Sequence, residues 1–194
     1  VINKPSGLAV QGGTNIKICL DDILRVFFQD QCEPKLVHRI DKETSGILII
    51  DKNRKVAEFF TRSFRDQKIK KQYLAICHGN TMTNKGKITK AISDNEKELE
   101  ASTYFSVQKK FGDLASLILF EPQTGRKHQI RIHAKYLGNP VINDIKYSDV
   151  PRIKNFPKEL MLHAHRIEFQ NMDGKVLSIE APLPEHFNKA FKML

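Results

Sequence analysis

Two spacings of apolar residues divide this chain. Val56, Phe59, Phe60, Ser63 and Phe64 recur at intervals of three and four behind Asn53, a residue suited to capping, and predict a helix. Tyr73, Ala75 and Cys77 fall on alternate positions and predict a strand over 70–77. Further strands are expected at 87–92, 101–107, 114–121, 160–169 and 176–181, and the apolar run Ile47-Leu48-Ile49-Ile50 reads as a buried one ending at Asp51. Asp21 and Asp22 are placed to cap a helix reaching about Gln29, with Ile23, Leu24, Phe27 and Phe28 on one face. Another helix is expected from about Lys127 to Leu137, with Ile130, Ala134 and Leu137 inward. Pro184 opens a short terminal helix to Met193. Strands outnumber helices and often follow one another directly. That pattern favours an α+β fold on a mainly antiparallel sheet over a doubly wound one. No repeat or linker divides the chain, and the polar, Lys-rich stretch 80–94 reads as an exposed hairpin or loop.

Composition adds a partner class. The 194 residues suit one domain, and 40% hydrophobic residues with 12 Phe can fill its core without Trp. Lys and Arg number 32 against 22 acids, a formal charge of +10. Such a balance favours nucleic acid, an anionic membrane surface or acidic partners. A membrane is the weaker choice, since no run of about 18 apolar residues occurs. Cys19, Cys32 and Cys77 are odd in number and irregular in spacing, which fits neither a disulfide framework nor a zinc site. The opening Val1-Ile2-Asn3-Lys4-Pro5 has no signal-peptide pattern, so a cytoplasmic location is expected. It also lacks an initiator Met, as expected of a piece cut from a longer protein.

The chemistry concentrates in two segments. His38-Arg39-Ile40-Asp41-Lys42-Glu43-Thr44-Ser45-Gly46 sets one carboxylate among bases and hydroxyls, just before a buried strand. A loop fixed by a core strand suits a reactive group, and neighbouring cations would keep Asp41 ionised. The plainer alternative is a solvated turn or an ordinary ion pair. The second segment, Thr124-Gly125-Arg126-Lys127-His128-Gln129-Ile130-Arg131-Ile132-His133, is a turn followed by basic residues that could meet phosphate oxygens. Its alternative is a solvated basic face. Arg131, set between Ile130 and Ile132, could point inward and hold a carboxylate. His163 and His165 share a strand face, but no Cys or acid stands at ligand spacing, so no metal is expected. The glycines near the start, Gly7, Gly12 and Gly13, form no phosphate loop.

Both segments resemble signatures of the ribosomal-large-subunit type of pseudouridine synthases. There the first reads His-Arg-Leu-Asp-x-x-Thr-Ser-Gly, from which this chain departs by Ile40. The second continues through Leu137-Gly138-Asn139-Pro140-Val141, Asp144 and Tyr147. Asn3-Lys4-Pro5-Ser6-Gly7-Leu8, Lys71-Gln72-Tyr73-Leu74-Ala75 and Leu160-Met161-Leu162-His163-Ala164 match further family motifs in order. The opening looks closest to the bacterial C-type branch. The resemblance spans essentially the whole chain.

It implies the pseudouridine synthase fold, a long mixed and mainly antiparallel sheet with flanking helices and a central RNA cleft. It implies isomerisation of uridine in RNA, with large-subunit ribosomal RNA as substrate and transfer RNA ranked second, by a cofactor-free, metal-free monomer. Asp41 would be the catalytic carboxylate, Tyr73 would stack on the target base, and Arg131 would pair with Asp41. Arg39 would enter the RNA stack or touch phosphate, Leu162 would wall the uracil pocket, and Thr44, Arg126 and His128 would contact RNA. Tyr73 and Leu162 read otherwise as ordinary strand and core residues. Residues 1–194 would form the catalytic domain, without the N-terminal RNA-binding domain of C-type members. The chemistry needs no redox cofactor, because the base leaves C1′ through N1 and rejoins through C5 with no atom gained or lost. One carboxylate suffices where the leaving base is recaptured, whereas glycosidases usually use two.

Overall fold

A computed structural model describes residues 1–13, 16–29, 32–94 and 96–194. Its strands are β1 (Ile2–Lys4), β2 (Lys35–Leu36), β3 (Ser45–Leu48), β4 (Ile50–Asp51), β5 (Lys70–His78), β6 (Lys85–Thr89), β7 (Ile92–Asp94), β8 (Lys97–Leu99), β9 (Ser102–Phe111), β10 (Ala115–Pro122), β11 (Leu162–Gln170) and β12 (Val176–Glu180). The helices are α1 (Leu20–Phe28), α2 (Arg54–Arg65), α3 (Gln129–Tyr136) and α4 (Glu185–Phe191). Eight strands form one sheet in the order β1-β3-β11-β5-β10-β9-β6, with β12 on β11. The pairs are antiparallel except β3 with β11, where Ser45 faces His163 and Gly46 faces Ala164. This is the expected α+β architecture.

β11 organises the centre. β5 runs antiparallel along one side of it. On the other side β3 pairs with its first residues and β12 with its last. The exchange puts the segment after Asp41 at the middle of the molecule, against the segment that begins with Leu162. Gly46 makes the close approach possible: its φ is +111°, and a Cβ there would overlap the Ala164 backbone.

The helices seal the faces of the sheet. Asn53 caps α2 as expected, its side chain accepting from Lys55 N at 2.9 Å. Ala57 and Phe60 of α2 are buried with Ile47, Ile167 and Phe169. Helix α1 departs from expectation. Cys19 is its N-cap, and Asp22 instead supplies the returning carboxylate of the capping box. Leu20 and Leu24 pack inward with Phe28, whereas Ile23 and Phe27 are exposed. Both sides of α1 carry apolar residues, so spacing alone could not choose the buried one. The stretch expected as one strand at 87–92 is broken between β6 and β7, and the 47–51 strand is β3 followed by the separate β4. Helix α3 begins after His128, whose left-handed backbone (φ 56°) turns the chain at its N-cap. Arg126 and Lys127 therefore precede the helix.

Candidate active site

The Asp41 loop is fixed from three sides. Thr44 N donates to Asp41 O at 3.1 Å, closing a tight turn. The N-terminal segment lies over that turn: Gly7 N donates to Lys42 O, and Ser6 Oγ donates to Glu43 O. Lys4, 1% exposed, adds its ammonium, which donates to the carbonyls of Pro5, Leu8 and Lys42. Burial pushes that amine down to about 8, opposed by Glu43 and Asp41. From below, Ser45 Oγ lies 2.9 Å from His163 Nδ1. On the upstream side, Ile49 N donates to His38 Nε2, and the imidazole stacks on Phe64. Burial pushes His38 down to about 3, so it is a neutral structural group.

The second segment is built with the same division of labour. Gln129 accepts from Thr124 Oγ1 and Arg126 N through Oε1 and donates to Ser102 O and Thr103 Oγ1 through Nε2. Buried His133 lies within hydrogen-bond distance of Thr103 Oγ1 and Lys90 O. These contacts lock the turn and α3 onto β9. His128 and Arg131 are left to face the Asp41 loop.

Between the two segments lies a cavity of about 360 Å³. Asp41, Tyr73, Arg131, Arg39, Thr44, Arg126, His128 and Leu162 all line it. The structure thus gathers every residue that the sequence nominated. Leu162, 2% exposed, is a wall, and Arg39 is exposed at the mouth. Arg126 reaches back to donate to Glu100 O at 3.1 Å. The cavity also takes in Lys71 and Arg65, cations that the motifs left unassigned.

The contacts of Arg131 correct one expectation. Its guanidinium does not pair with Asp41. Nε and Nη2 donate to the two oxygens of Asp144 at 2.7 and 2.6 Å, and Nη1 lies 3.8 Å from Glu43. Asp144 is buried and also accepts from Lys146 N and Tyr147 N. The motif match had included Asp144 without giving it work. Within ion-pair range of Asp41 lies instead His128, whose Nε2 is 3.9 Å from Oδ1. Tyr147 OH lies 2.8 Å from His128 Nδ1 on its far side. Among the described residues, no hydrogen bond of 3.5 Å or less reaches the Asp41 carboxylate.

Electrostatics correct a second expectation. Burial pushes the Asp41 carboxyl above its ordinary value; His128 and Arg131 pull it back, while Glu43 and Asp144 push the same way as burial. The cations temper the cost of the buried charge without reversing it. Burial, and then Asp41 itself, push the Tyr73 phenol up, so it is neutral at ordinary pH. His128 is pushed down by burial, against the pull of Asp41. Thr44 Oγ1 is buried with no hydrogen-bond partner among the described residues. Such a site offers one carboxylate free of direct donors, a neutral phenol and a cationic rim. Among the described residues no cluster of three His, Cys, Asp or Glu could hold a metal ion, and no helix is long and apolar enough to cross a membrane.

Known proteins are similar to this chain in sequence and in fold. Residues 1–136 match the family described as RNA pseudouridylate synthase. The chain is 39% identical over 202 residues to the ribosomal large subunit pseudouridine synthase C of Rickettsia bellii, covering 97% of this chain and 66% of the relative. It is 35% identical over 211 residues to the protein of the same name from Pasteurella multocida, covering 97% and 63%. The chain therefore spans somewhat less than two thirds of the length of these relatives. Among solved structures, human RNA pseudouridylate synthase domain containing 1 superposes with a TM-score of 0.79 at 27% identity, covering 94% of this chain and 78% of that one. Human RNA pseudouridylate synthase domain containing 4 shares the fold, with a TM-score of 0.82 at 24% identity over 98% and 87%. By its motifs, its sheet and this match over most of its length, the chain belongs to the RNA pseudouridylate synthase family.

Proposed function

We propose that this chain isomerises uridine to pseudouridine in RNA, and that its substrate is large-subunit ribosomal RNA in the cytoplasm. The observation that carries the reading is the meeting of Asp41, Tyr73, Arg131 and Leu162 around one cavity, from distant parts of the chain. Its volume is at the small end of ligand pockets, which suits a single base turned out of an RNA strand. The substrate follows from the relatives, whose names specify the ribosomal large subunit.

The residues divide the reaction as follows. The N1–C1′ bond breaks, the uracil turns within the cavity, and a C5–C1′ bond forms; C5 loses a proton and N1 gains one. Asp41 supplies the carboxylate at the reacting centre. Its oxygens are free for substrate because no donor among the described residues occupies them. Tyr73 presents an uncharged ring to the base and a phenol that can carry a proton. Leu162 bounds the cavity, and Arg39 at its mouth can fill the gap left in the RNA stack. Arg126 and His128 contact the RNA around the target nucleotide, whereas Thr44, whose hydroxyl is buried, serves as part of the cavity wall rather than as the RNA contact expected of it. We further propose that the chain works as a monomer, without metal or cofactor.

The test is tritium release from C5-labelled uridine in ribosomal RNA transcript, with wild type beside Asp41→Asn. Release by wild type and none by the variant, with RNA affinity retained, is expected. Product formation by Asp41→Asn would remove the carboxylate from the reaction.

A further inference from the structure

Lys71 lines the cavity as a half-buried cation, and no carboxylate of the described residues comes within 4.0 Å of it. Its one hydrogen bond among those residues goes to Thr124 O at a long 3.4 Å. The other cavity cations are better provided for. Arg131 is bonded to Asp144, Arg65 to Asp66 and Arg126 to the Glu100 carbonyl. His128 lies near Asp41, and Arg39 is exposed to water at the mouth. Lys71 has given up part of its water without gaining a counter-ion, and burial pushes its amine down accordingly. It stands on β5 two residues before Tyr73. The two side chains therefore fall on one face of the strand, roughly 7 Å apart along it.

We propose that Lys71 binds a phosphodiester next to the target uridine and so anchors the nucleotide whose base lies on Tyr73. This inference rests on the activity proposed above and deepens it. Uracil and ribose are uncharged, so the anion that a uridine in RNA brings to the cavity is its phosphate. A nucleotide's phosphate sits to one side of its base, as Lys71 sits to one side of Tyr73 along the strand. An ammonium that is already partly desolvated loses less water when it meets that phosphate. Its three donors on a four-carbon stem suit a phosphate as a point charge. Lys70, the next residue back, points to the opposite face and is paired with Glu168 at 2.8 Å. The strand thus presents one lysine with its anion in place and one whose anion the substrate supplies.

The test is the salt dependence of binding to a ribosomal RNA transcript, compared among wild type, Lys71→Met, Lys71→Arg and Lys70→Met. One phosphate contact on a single strand contributes about 0.7 to the log–log slope. Lys71→Met should flatten the slope by about that amount and weaken binding about tenfold at low salt. Lys71→Arg, which keeps the charge, should restore the wild-type slope. Lys70→Met makes the same change of charge on the other face and should leave the slope alone. An unchanged slope in Lys71→Met overturns the proposal and leaves Lys71 as a tether for the Thr124 turn, a role that would lower stability without moving the slope. Equal flattening in Lys70→Met also overturns it, because net charge alone would then account for the effect. A second measurement needs no variant to fold. Acetylation of wild type by acetic anhydride, read by mass spectrometry, should show Lys71 protected by bound RNA and Lys70 labelled alike with and without it. Equal labelling of Lys71 in the two samples overturns the proposal. Both readouts are of binding, so absence of tritium release by wild type counts against the isomerisation, whereas an unchanged slope counts against Lys71 alone.

Discussion

Asp41 is a cost to the fold as well as the centre of the site. Its folded pKa lies above the ordinary 3.8 because burial outweighs the pull of His128 and Arg131. A raised folded pKa means that the folded state binds the proton more tightly. The resulting stability is complete below 3.8 and is lost as pH rises through the folded pKa. Asp41→Asn should therefore melt above wild type at neutral pH, with the gap closing below 3.8. Equal melting temperatures at neutral pH would show that the cations offset the burial. Thr44 presents a related case, a buried hydroxyl without a partner among the described residues. Thr44→Val removes that polar atom at nearly constant volume and should stabilise the chain by about 1 kcal/mol, read by urea unfolding. A loss of similar size would reveal an unseen partner for the hydroxyl.

At the scale of elements, the junction of β3 and β11 is the most demanding contact. Gly46 sits there at φ +111°, and any Cβ would strike the backbone of Ala164 rather than a movable side chain. Gly46→Ala should therefore cost more than the ordinary Gly-to-Ala change at a loop. Its effect should exceed about 3 kcal/mol, among the largest expected of a single substitution. Gly125→Ala, where a Cβ would meet open space, is the natural control by denaturant melts. This junction also marks the limit of what could be read in advance. The strand after Asp41 was legible from its apolar run, and α2 from its spacing and its Asn53 cap. The pairing of Ser45 with His163 was not, because periodicity reports a face and never a partner 118 residues away. The same limit explains Arg131. An inward arginine seeking a carboxylate was readable, but Asp41, Glu43 and Asp144 were all available to it, and three-dimensional packing chose Asp144. The site residues were legible chiefly through motif resemblance; their spacing left each open to a plainer role.

The molecule as a whole carries +10, while several peripheral cations are already paired, as in Lys70 with Glu168 and Lys135 with Asp149. Around the cavity, Arg39 and Lys71 have no ion-pair partner within 4.0 Å among the described residues. RNA affinity should therefore fall with added salt, with a log–log slope steeper than about −2, equivalent to roughly three phosphate contacts on a single strand. Anisotropy titrations over a range of potassium chloride would read it. A flat response would mean that the basic surface plays no part in holding RNA.

The clamp over the Asp41 turn has a consequence for how the protein comes into being. That turn is held by Lys4, Ser6 and Gly7 on one side, and the next residues rest on His163 on the other. During synthesis the first partners emerge early, but the last is made only after most of the chain has left the ribosome. A nascent chain stopped short of residue 162 would carry Asp41 on a loop with no floor. Long-range closure of this kind is slow. The carboxylate is set in place only when the fold that surrounds it is nearly complete, so unfinished chains hold the residues of the site without its geometry.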